Sequence, residues 1–133
     1  MIDTSLIFLA KAEESLAGAE SEFVNGRYNN CANRCYYACF QAAIHALMQA
    51  GIRPPGRGAE WSHAFVPAQF DGQLINRRKL YPTGLRNVIS RNYLLREVGD
   101  YKGSLVSQTE AMRALRRTRQ FVAAIQPEEG EAR

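Results

Sequence analysis

The sequence lacks the segments that a membrane span or a secretion signal needs. Its longest apolar stretch, residues 38–48, is interrupted by Gln41 and His45 and is too short to cross a bilayer. No basic segment followed by a continuous apolar one occurs near the first residue, so we expect no secretion signal. These absences favour a cytoplasmic protein that does not act in a membrane.

Signatures of metal and phosphate sites are missing as well. His45 and His63 have no second histidine or carboxylate nearby at a spacing that metal ligation needs. Gly56 and Gly58 fit no phosphate-binding loop, because the Walker pattern and a preceding strand are both absent. We expect His45 to be a hydrogen-bonded core residue and His63 to face solvent or a cleft. The sequence therefore predicts no metal and no other cofactor.

Cysteine is scarce, and its count is odd. Cys31, Cys35 and Cys39 cannot all pair within one chain, and they do not have the spacing of a four-ligand zinc site. Spaced four residues apart, they line one stripe of a helix, which spreads them too far along its axis to close on one ion. We expect reduced thiols that pack as small buried residues against a neighbouring helix.

The composition is that of a soluble globular domain, with 46% apolar and 23% charged residues in a chain of 133. Charge is distributed unevenly: residues 1–26 carry a formal charge of −4, and residues 77–119 carry +8. A basic face of this kind suits phosphates. Two alternatives stay open, namely solvated helix faces and a basic surface that complements an acidic one on another subunit.

Apolar periodicity is helical throughout the chain, and no useful alternation of the strand type appears. We predict a first helix over residues 4–24, a second over 28–50, a short third within 61–75 that Pro67 and Gly72 break, a fourth from about Leu85 that closes at 99–101, and a last helix. Ser107 and Glu110 predict a capping box that starts this last helix, and Pro127 stops it.

These helices predict an all-α fold, an antiparallel up-and-down bundle of four main helices plus one short helix. We expect a single domain over residues 1–126 and a polar tail over 127–133. The second helix is apolar nearly all round and should be central. The apolar faces of the first and last helices are predicted to be Leu6, Leu9, Ala12, Leu16, Ala19 and Phe23, and Met112, Leu115, Val122 and Ile125.

The densest polar stretch is residues 86–101. On a helix, Ser90 and Tyr93 share one side, together with Arg86 and Glu97, whereas Arg91 and Asn92 lie off to another side. Arginine together with tyrosine grips phosphates and stacks on bases, as single-stranded RNA requires. The alternative is structural: Arg96 pairs with Asp100 across one turn, and the tyrosines pack the bundle.

Three segments of the chain resemble the HEPN family. Residues 27–43 read RYNNCANRCYYACFQAA, similar to a HEPN signature in which a tyrosine precedes small residues and then Tyr-Tyr-Ala-x-Phe-x-Ala-Ala. Ser62 and His63 resemble the polar pair that opens the next helix of the family. Residues 96–101 read REVGDY, similar to the Arg-x-x-Ala-Asp-Tyr close of one prokaryotic branch. The resemblance extends over about residues 6–125.

This resemblance implies a helical bundle that commonly dimerises and is often encoded beside a small nucleotidyltransferase in toxin–antitoxin pairs. Active members are metal-independent ribonucleases that use an arginine followed, after a short gap, by a histidine at the dimer cleft. Arg91 and Asn92 match this pattern, but Arg96 stands where the histidine is expected, and no histidine follows His63. The gap from Arg57 to His63 is compatible but lies in a Pro/Gly loop.

We therefore expect a binding module for RNA or nucleotides that forms a homodimer, acts with a nucleotidyltransferase and does not cleave RNA, because arginine stays charged and cannot exchange protons as histidine does. The expected binding residues are Arg86, Arg91, Asn92, Tyr93, Arg96, Asp100 and Tyr101. One alternative is an active endoribonuclease that uses Arg91, Arg96 and Tyr101, with His63 folded into the cleft. Another is a structural adaptor that binds no nucleic acid.

Overall fold

The computed structural model describes residues 3–58 and 60–126, and all its regular elements are helical. They are α1 (Thr4–Val24), α2 (Tyr28–Gln49), α3 (Phe65–Gln69), a π-helical segment (Phe70–Arg77), a 3₁₀ turn (Thr83–Leu85), α4 (Val88–Tyr101) and α5 (Gln108–Ile125). The predicted all-α bundle is confirmed. No helix within the described ranges is long and apolar enough to cross a bilayer. The predicted tail, 127–133, lies outside the described residues, and the single-domain boundary stays a prediction.

Local capping sets the ends of the long helices. Asp3 precedes α1, and its Oδ1 accepts a hydrogen bond from the Ser5 backbone N–H at 3.0 Å. Before α5, the Ser107 hydroxyl accepts from the Glu110 N–H at 3.1 Å, while the Glu110 carboxylate accepts from the Ser107 N–H at 2.9 Å. The predicted capping box is therefore confirmed.

The central element is α2, which packs against α1, α4 and α5. Its side chains are buried on nearly all sides, including Tyr36 and the thiols of Cys31, Cys35 and Cys39. The sequence prediction that this helix is central and that its cysteines are buried is confirmed. His45 is also buried, and its Nδ1 hydrogen-bonds the Ser5 carbonyl oxygen at 2.7 Å, as expected of a core histidine.

The predicted apolar faces of α1 and α5 are partly wrong. In α1 the fully buried positions belong to small residues, namely Ser5, Ala12, Ser15 and Ala19. The side chain of Leu6 is 54% exposed, and that of Met112 on α5 is 41% exposed. Small side chains allow the backbone of α1 to lie close to α2, so the larger leucines fall at the edge of the contact.

The third helix also differs from its prediction, because neither Pro67 nor Gly72 breaks it. Pro67 lies in the first turn of α3, where a backbone N–H has no partner within the helix. Gly72 lies in the π-helical segment, which ends with the Arg78 N–H donating to the Gln73 carbonyl at 2.9 Å. The helix begins at Phe65, inside the predicted range of 61–75, and its π-helical part ends at Arg77, two residues beyond that range.

Two contacts fix the position of α4, the helix that carries the predicted site. Asn87, just before the helix, adopts φ +68°, and its N–H donates to the Asp71 carboxylate at 3.0 Å. The helix therefore begins only at Val88, and Leu85, which the sequence pattern places within it, lies in the preceding 3₁₀ turn. Near the other end, Gly99 lies so close to α2 that a Cβ would come within 3.3 Å of Asn29. Glycine therefore allows α4 to cross close to the start of α2.

The buried cysteines make a prediction about reactivity. Burial raises the pKa of the Cys39 thiol to about 12, and none of the three thiols is exposed. We expect no reaction with a disulfide reagent in the native state and stoichiometric reaction of three thiols in denaturant. A Ser21→Cys variant on the exposed face of α1 provides the positive control. Fast labelling of the native wild type would contradict the burial.

Candidate functional site

The side chains of α4 point to three different neighbours. Asn92 and Arg96 face α2, Arg91 faces α5, and Tyr93 faces the start of α3. Leu94 lies between the last two faces, with 65% of its side chain exposed. The predicted site is therefore distributed around the helix and does not form a single patch.

Asn92 is fully buried and joins three helices. Its Nδ2 donates to the Thr118 hydroxyl at 3.0 Å and, more weakly, to the Cys35 carbonyl oxygen at 3.4 Å. Its Oδ1 accepts from Arg117 Nε at 2.7 Å. Because a buried amide must satisfy its polar atoms internally, this network fixes α4 against α2 and α5. Asn92 consequently orients Arg117 and offers no polar atom to solvent.

A groove between α4 and α5 contains the largest group of neighbouring cations at the site. We call it the basic groove. It encloses about 390 Å³ and is lined by Arg91, Leu94, Leu95, Val98, Glu110, Arg113 and Arg117. The only acid in it, Glu110, is engaged in the capping box of α5. Burial, together with the nearby charge of Arg91, lowers the pKa of Arg117. Within residues 3–58 and 60–126, none of the three arginines forms an ion pair.

Arg96 lies between α4 and the aromatic side chains of α2. Its guanidinium carbon is 5.2 Å from the ring centre of Tyr36 and 5.3 Å from that of Tyr37. Its Nε is 3.3 Å from an oxygen of Asp100, which also accepts a hydrogen bond from Asn33 at 3.2 Å. The Nε contact is an ion pair without hydrogen-bond geometry. The Arg96–Asp100 pair that the sequence offered as an alternative is therefore present, and only 13% of the Arg96 side chain is exposed.

The other predicted residues lie at separate points along α4. Arg86 precedes the helix, and its Nη2 donates to the Asn76 side-chain oxygen at 2.5 Å. Tyr93 is partly buried, and a hydrogen bond to Glu97 raises the pKa of its phenol. Tyr101 ends the helix with 69% of its side chain exposed.

His63 is exposed to solvent, and its imidazole is hydrogen-bonded to the buried phenol of Tyr36. Its Nδ1 forms a hydrogen bond with the hydroxyl of Tyr36, whose side chain is only 1% exposed. Ser62 fixes the backbone of the same turn, because its hydroxyl accepts from the Phe65 N–H at 2.9 Å. The imidazole packs against Tyr93 with ring centres 5.4 Å apart. The position of His63 is thus set by Tyr36 of α2, by Tyr93 of α4 and by the turn that Ser62 begins.

A second cavity lies beside this histidine, and we call it the α3–α4 cavity. It encloses about 200 Å³ and is lined by His63, Pro67, Ile89, Ser90, Tyr93 and Leu94. Arg91 does not line it, and His63 does not line the basic groove. The two cavities share Leu94, so His63 and Arg91 lie on opposite sides of that side chain.

A metal site is not found in the part of the chain that the structure describes. Across 3–58 and 60–126, no three histidine, cysteine, aspartate or glutamate side chains come together as a ligand set.

The fold and the family motifs agree with a comparison against known protein families. The HEPN domain matches residues 6–128, which is nearly the whole chain. The chain belongs to the HEPN domain family. A search of curated proteins finds no significant match. Membership of the family is confirmed, whereas the prokaryotic branch and the nucleotidyltransferase pairing stay predictions.

In this HEPN domain, sequence reasoning missed two residues of the basic groove, Arg113 and Arg117. Neither is among the binding residues that the sequence predicts, although both lie within the basic stretch 77–119. Their spacing of four residues places them on one face of α5, and that spacing was the available signal. The periodicity of α5 does not show that this face lies next to Arg91. That depends on how α4 packs against α5.

The buried amide network of the HEPN domain predicts a cost for removing Asn92. We expect Asn92→Leu to lower the free energy of unfolding by about 2 kcal/mol, because Arg117 Nε loses its acceptor and the Thr118 hydroxyl loses its donor. Urea denaturation followed by circular dichroism measures the change. Gln120→Leu, at an exposed position of α5, is the control. A loss no larger than that of the control would contradict the role of the network.

Proposed function

We propose that this HEPN domain binds single-stranded RNA by holding its sugar-phosphate backbone in the basic groove. The observation that carries the proposal is the grouping of Arg91, Arg113 and Arg117 around one cavity without an ion-pair partner among the described residues. Arg117 is already oriented by Asn92, so less side-chain freedom is lost when an anion binds.

The chemistry of the groove suits phosphate. Like charges that lie close together repel, and a bound phosphate relieves that repulsion while accepting charge-assisted hydrogen bonds from planar guanidinium groups. In this proposal Arg91, Arg113 and Arg117 contact the backbone, and Tyr101 offers an exposed ring for stacking. Arg96 and Asp100 support α4 from the side of α2, and Arg86 and Tyr93 flank the binding surface.

Binding without cleavage is the function that we favour, for two reasons. The guanidinium of Arg96, which stands where the family places its histidine, is mostly covered by Tyr36, Tyr37 and Asp100. The accessible histidine, His63, lies across Leu94 from the basic groove.

An endoribonuclease is the second candidate, and one observation favours it. His63 is exposed, and because its Nδ1 is engaged by Tyr36, its Nε2 is the nitrogen available for proton transfer. Such an enzyme would need the histidine and the arginines to act on the same nucleotide.

Two partner proposals rest on the family resemblance alone. We propose that the protein forms a homodimer and that a small nucleotidyltransferase acts with it, as in toxin–antitoxin pairs. Light scattering on the purified chain measures the first, and co-expression with a candidate nucleotidyltransferase tests the second.

RNA binding makes a quantitative prediction for the groove. We expect Arg91→Ala and Arg113→Ala each to weaken binding of an unstructured RNA oligonucleotide, with a fall of about one in the slope of log affinity against log salt. Fluorescence anisotropy across a salt series measures both quantities. Arg116→Ala removes the same charge from an exposed position of α5 that does not line the groove, and it serves as the matched control.

Three outcomes separate the candidates. Larger losses in Arg91→Ala and Arg113→Ala than in Arg116→Ala support the groove. Equal losses of RNA affinity in all three variants point to general attraction by positive charge and contradict specific binding in the basic groove. Absence of RNA binding at any salt concentration favours the structural adaptor.

Catalysis is tested separately by incubating the wild type with a mixed RNA pool in the presence of a chelator. We expect retardation of the RNA at low salt and no cleavage, because no histidine lines the groove that holds the phosphates. Arg91→Ala and His63→Ala are run alongside. Cleavage that disappears in both variants would overturn the binding-only proposal in favour of the enzyme.

A further inference from the structure

The α3–α4 cavity has the dimensions and lining of a site for a small planar ring. Its volume of about 200 Å³ is too small for a helix or an acyl chain. Its walls are largely apolar, formed by Pro67, Ile89, Leu94 and the ring of Tyr93, which disfavours a free anion. A nucleobase combines an apolar, polarisable face with a polar edge, so it matches both properties of these walls.

Aromatic and polar groups stand at suitable places for such a ring. The rings of Tyr93 and His63 are inclined at 51° to each other and form adjoining walls of the cavity. Three residues that line the cavity have polar side-chain groups, namely His63, Tyr93 and Ser90, which is exposed on α4. They are therefore the groups that would bind the edge of a base.

The imidazole is held in place before any ligand arrives. Tyr36 is buried and finds its hydrogen-bond partner in His63 Nδ1, so the ring cannot turn freely. With the phenol as donor, the proton of the neutral ring lies on Nε2, which then donates to an acceptor on a base. A rigid wall of this kind reduces the entropy that binding must overcome.

The neighbouring cations point to a nucleotide as the source of the base. Leu94 lines both the α3–α4 cavity and the basic groove, so a ligand that lies across this side chain contacts both. In a nucleotide, the ribose lies between the base and the phosphate, as Leu94 lies between the two cavities. Apolar walls on one side of Leu94 and three arginines on the other complement the two ends of one nucleotide unit.

We propose that the α3–α4 cavity binds one nucleobase of an RNA whose phosphates occupy the basic groove. This inference rests on the proposed RNA binding and adds to it a second subsite with a different chemistry. It assigns stacking to Tyr93 and His63 and places Ser90 at the rim, where its side chain controls access to the cavity.

The test compares two oligonucleotides of equal length and charge, one of RNA and one with abasic ribose units. Stacking of one base predicts that the wild type binds RNA about tenfold more tightly than the abasic chain. Ser90→Trp fills the rim from an exposed position and should abolish this preference, while the salt dependence stays unchanged. Gln120→Trp places the same ring on an exposed face of α5, away from the cavity, and this control should retain the preference.

The outcomes distinguish this inference from the proposed function. Equal affinity of the wild type for RNA and the abasic chain, with the effects of Arg91→Ala intact, overturns the base site and leaves the backbone groove standing. No binding of either oligonucleotide overturns both. A preference for RNA that persists in Ser90→Trp, when circular dichroism confirms that the variant is folded, shows that the base lies elsewhere and also contradicts the inference.

Discussion

The hydrogen-bond network of Asn92 is the constraint on which the arrangement of the site depends. An amide with no exposed atom joins α2, α4 and α5 by contacts to Cys35, Thr118 and Arg117. In a medium of low polarity such contacts are strong, and leaving any of them unmade is costly, so the three helices have little freedom to slide or rotate. The position of Arg117 at the floor of the basic groove follows from this internal requirement. A buried, neutral side chain thereby determines where a surface charge lies.

Tyr36 has a similar role on the other side of α4. The face of its ring supports the guanidinium of Arg96, and its hydroxyl holds the imidazole of His63. Burial raises the pKa of the phenol, which therefore stays a neutral hydrogen-bonding group at ordinary pH. One residue of the central helix thus contacts both α4 and the turn before α3. Through Tyr36 at His63 and through Cys35 at Asn92, α2 contacts residues that line or adjoin the two cavities beside Leu94.

Local chemistry predicted much of the fold, and the site only in part. The start of α5 followed from the capping box at Ser107. The central place of α2 followed from the apolar side chains on nearly all of its faces. Both signals lie within one element. The buried face of α1 was predicted wrongly at Leu6, since close packing of backbones favoured alanine and serine over leucine. On α4, the spacing of residues separated Arg91 from Tyr93 correctly. It did not indicate that Asn92 is internal or that Arg113 and Arg117 complete the groove, because those facts depend on how separate helices meet.

The π-helical segment Phe70–Arg77 has a consequence for comparing this chain with its relatives. A π-helix has wider turns than an α-helix, so it takes more residues for the same number of turns. Here the π-helical segment forms the last part of the helix that α3 begins, and after it Tyr81 stacks on Phe70, with ring centres 5.4 Å apart. A relative one residue shorter in this region can keep the same path with an ordinary helix. When such a relative is aligned with this chain, the single-residue gap belongs within 70–77, and placing it after α4 would shift every position of α4 against its equivalent.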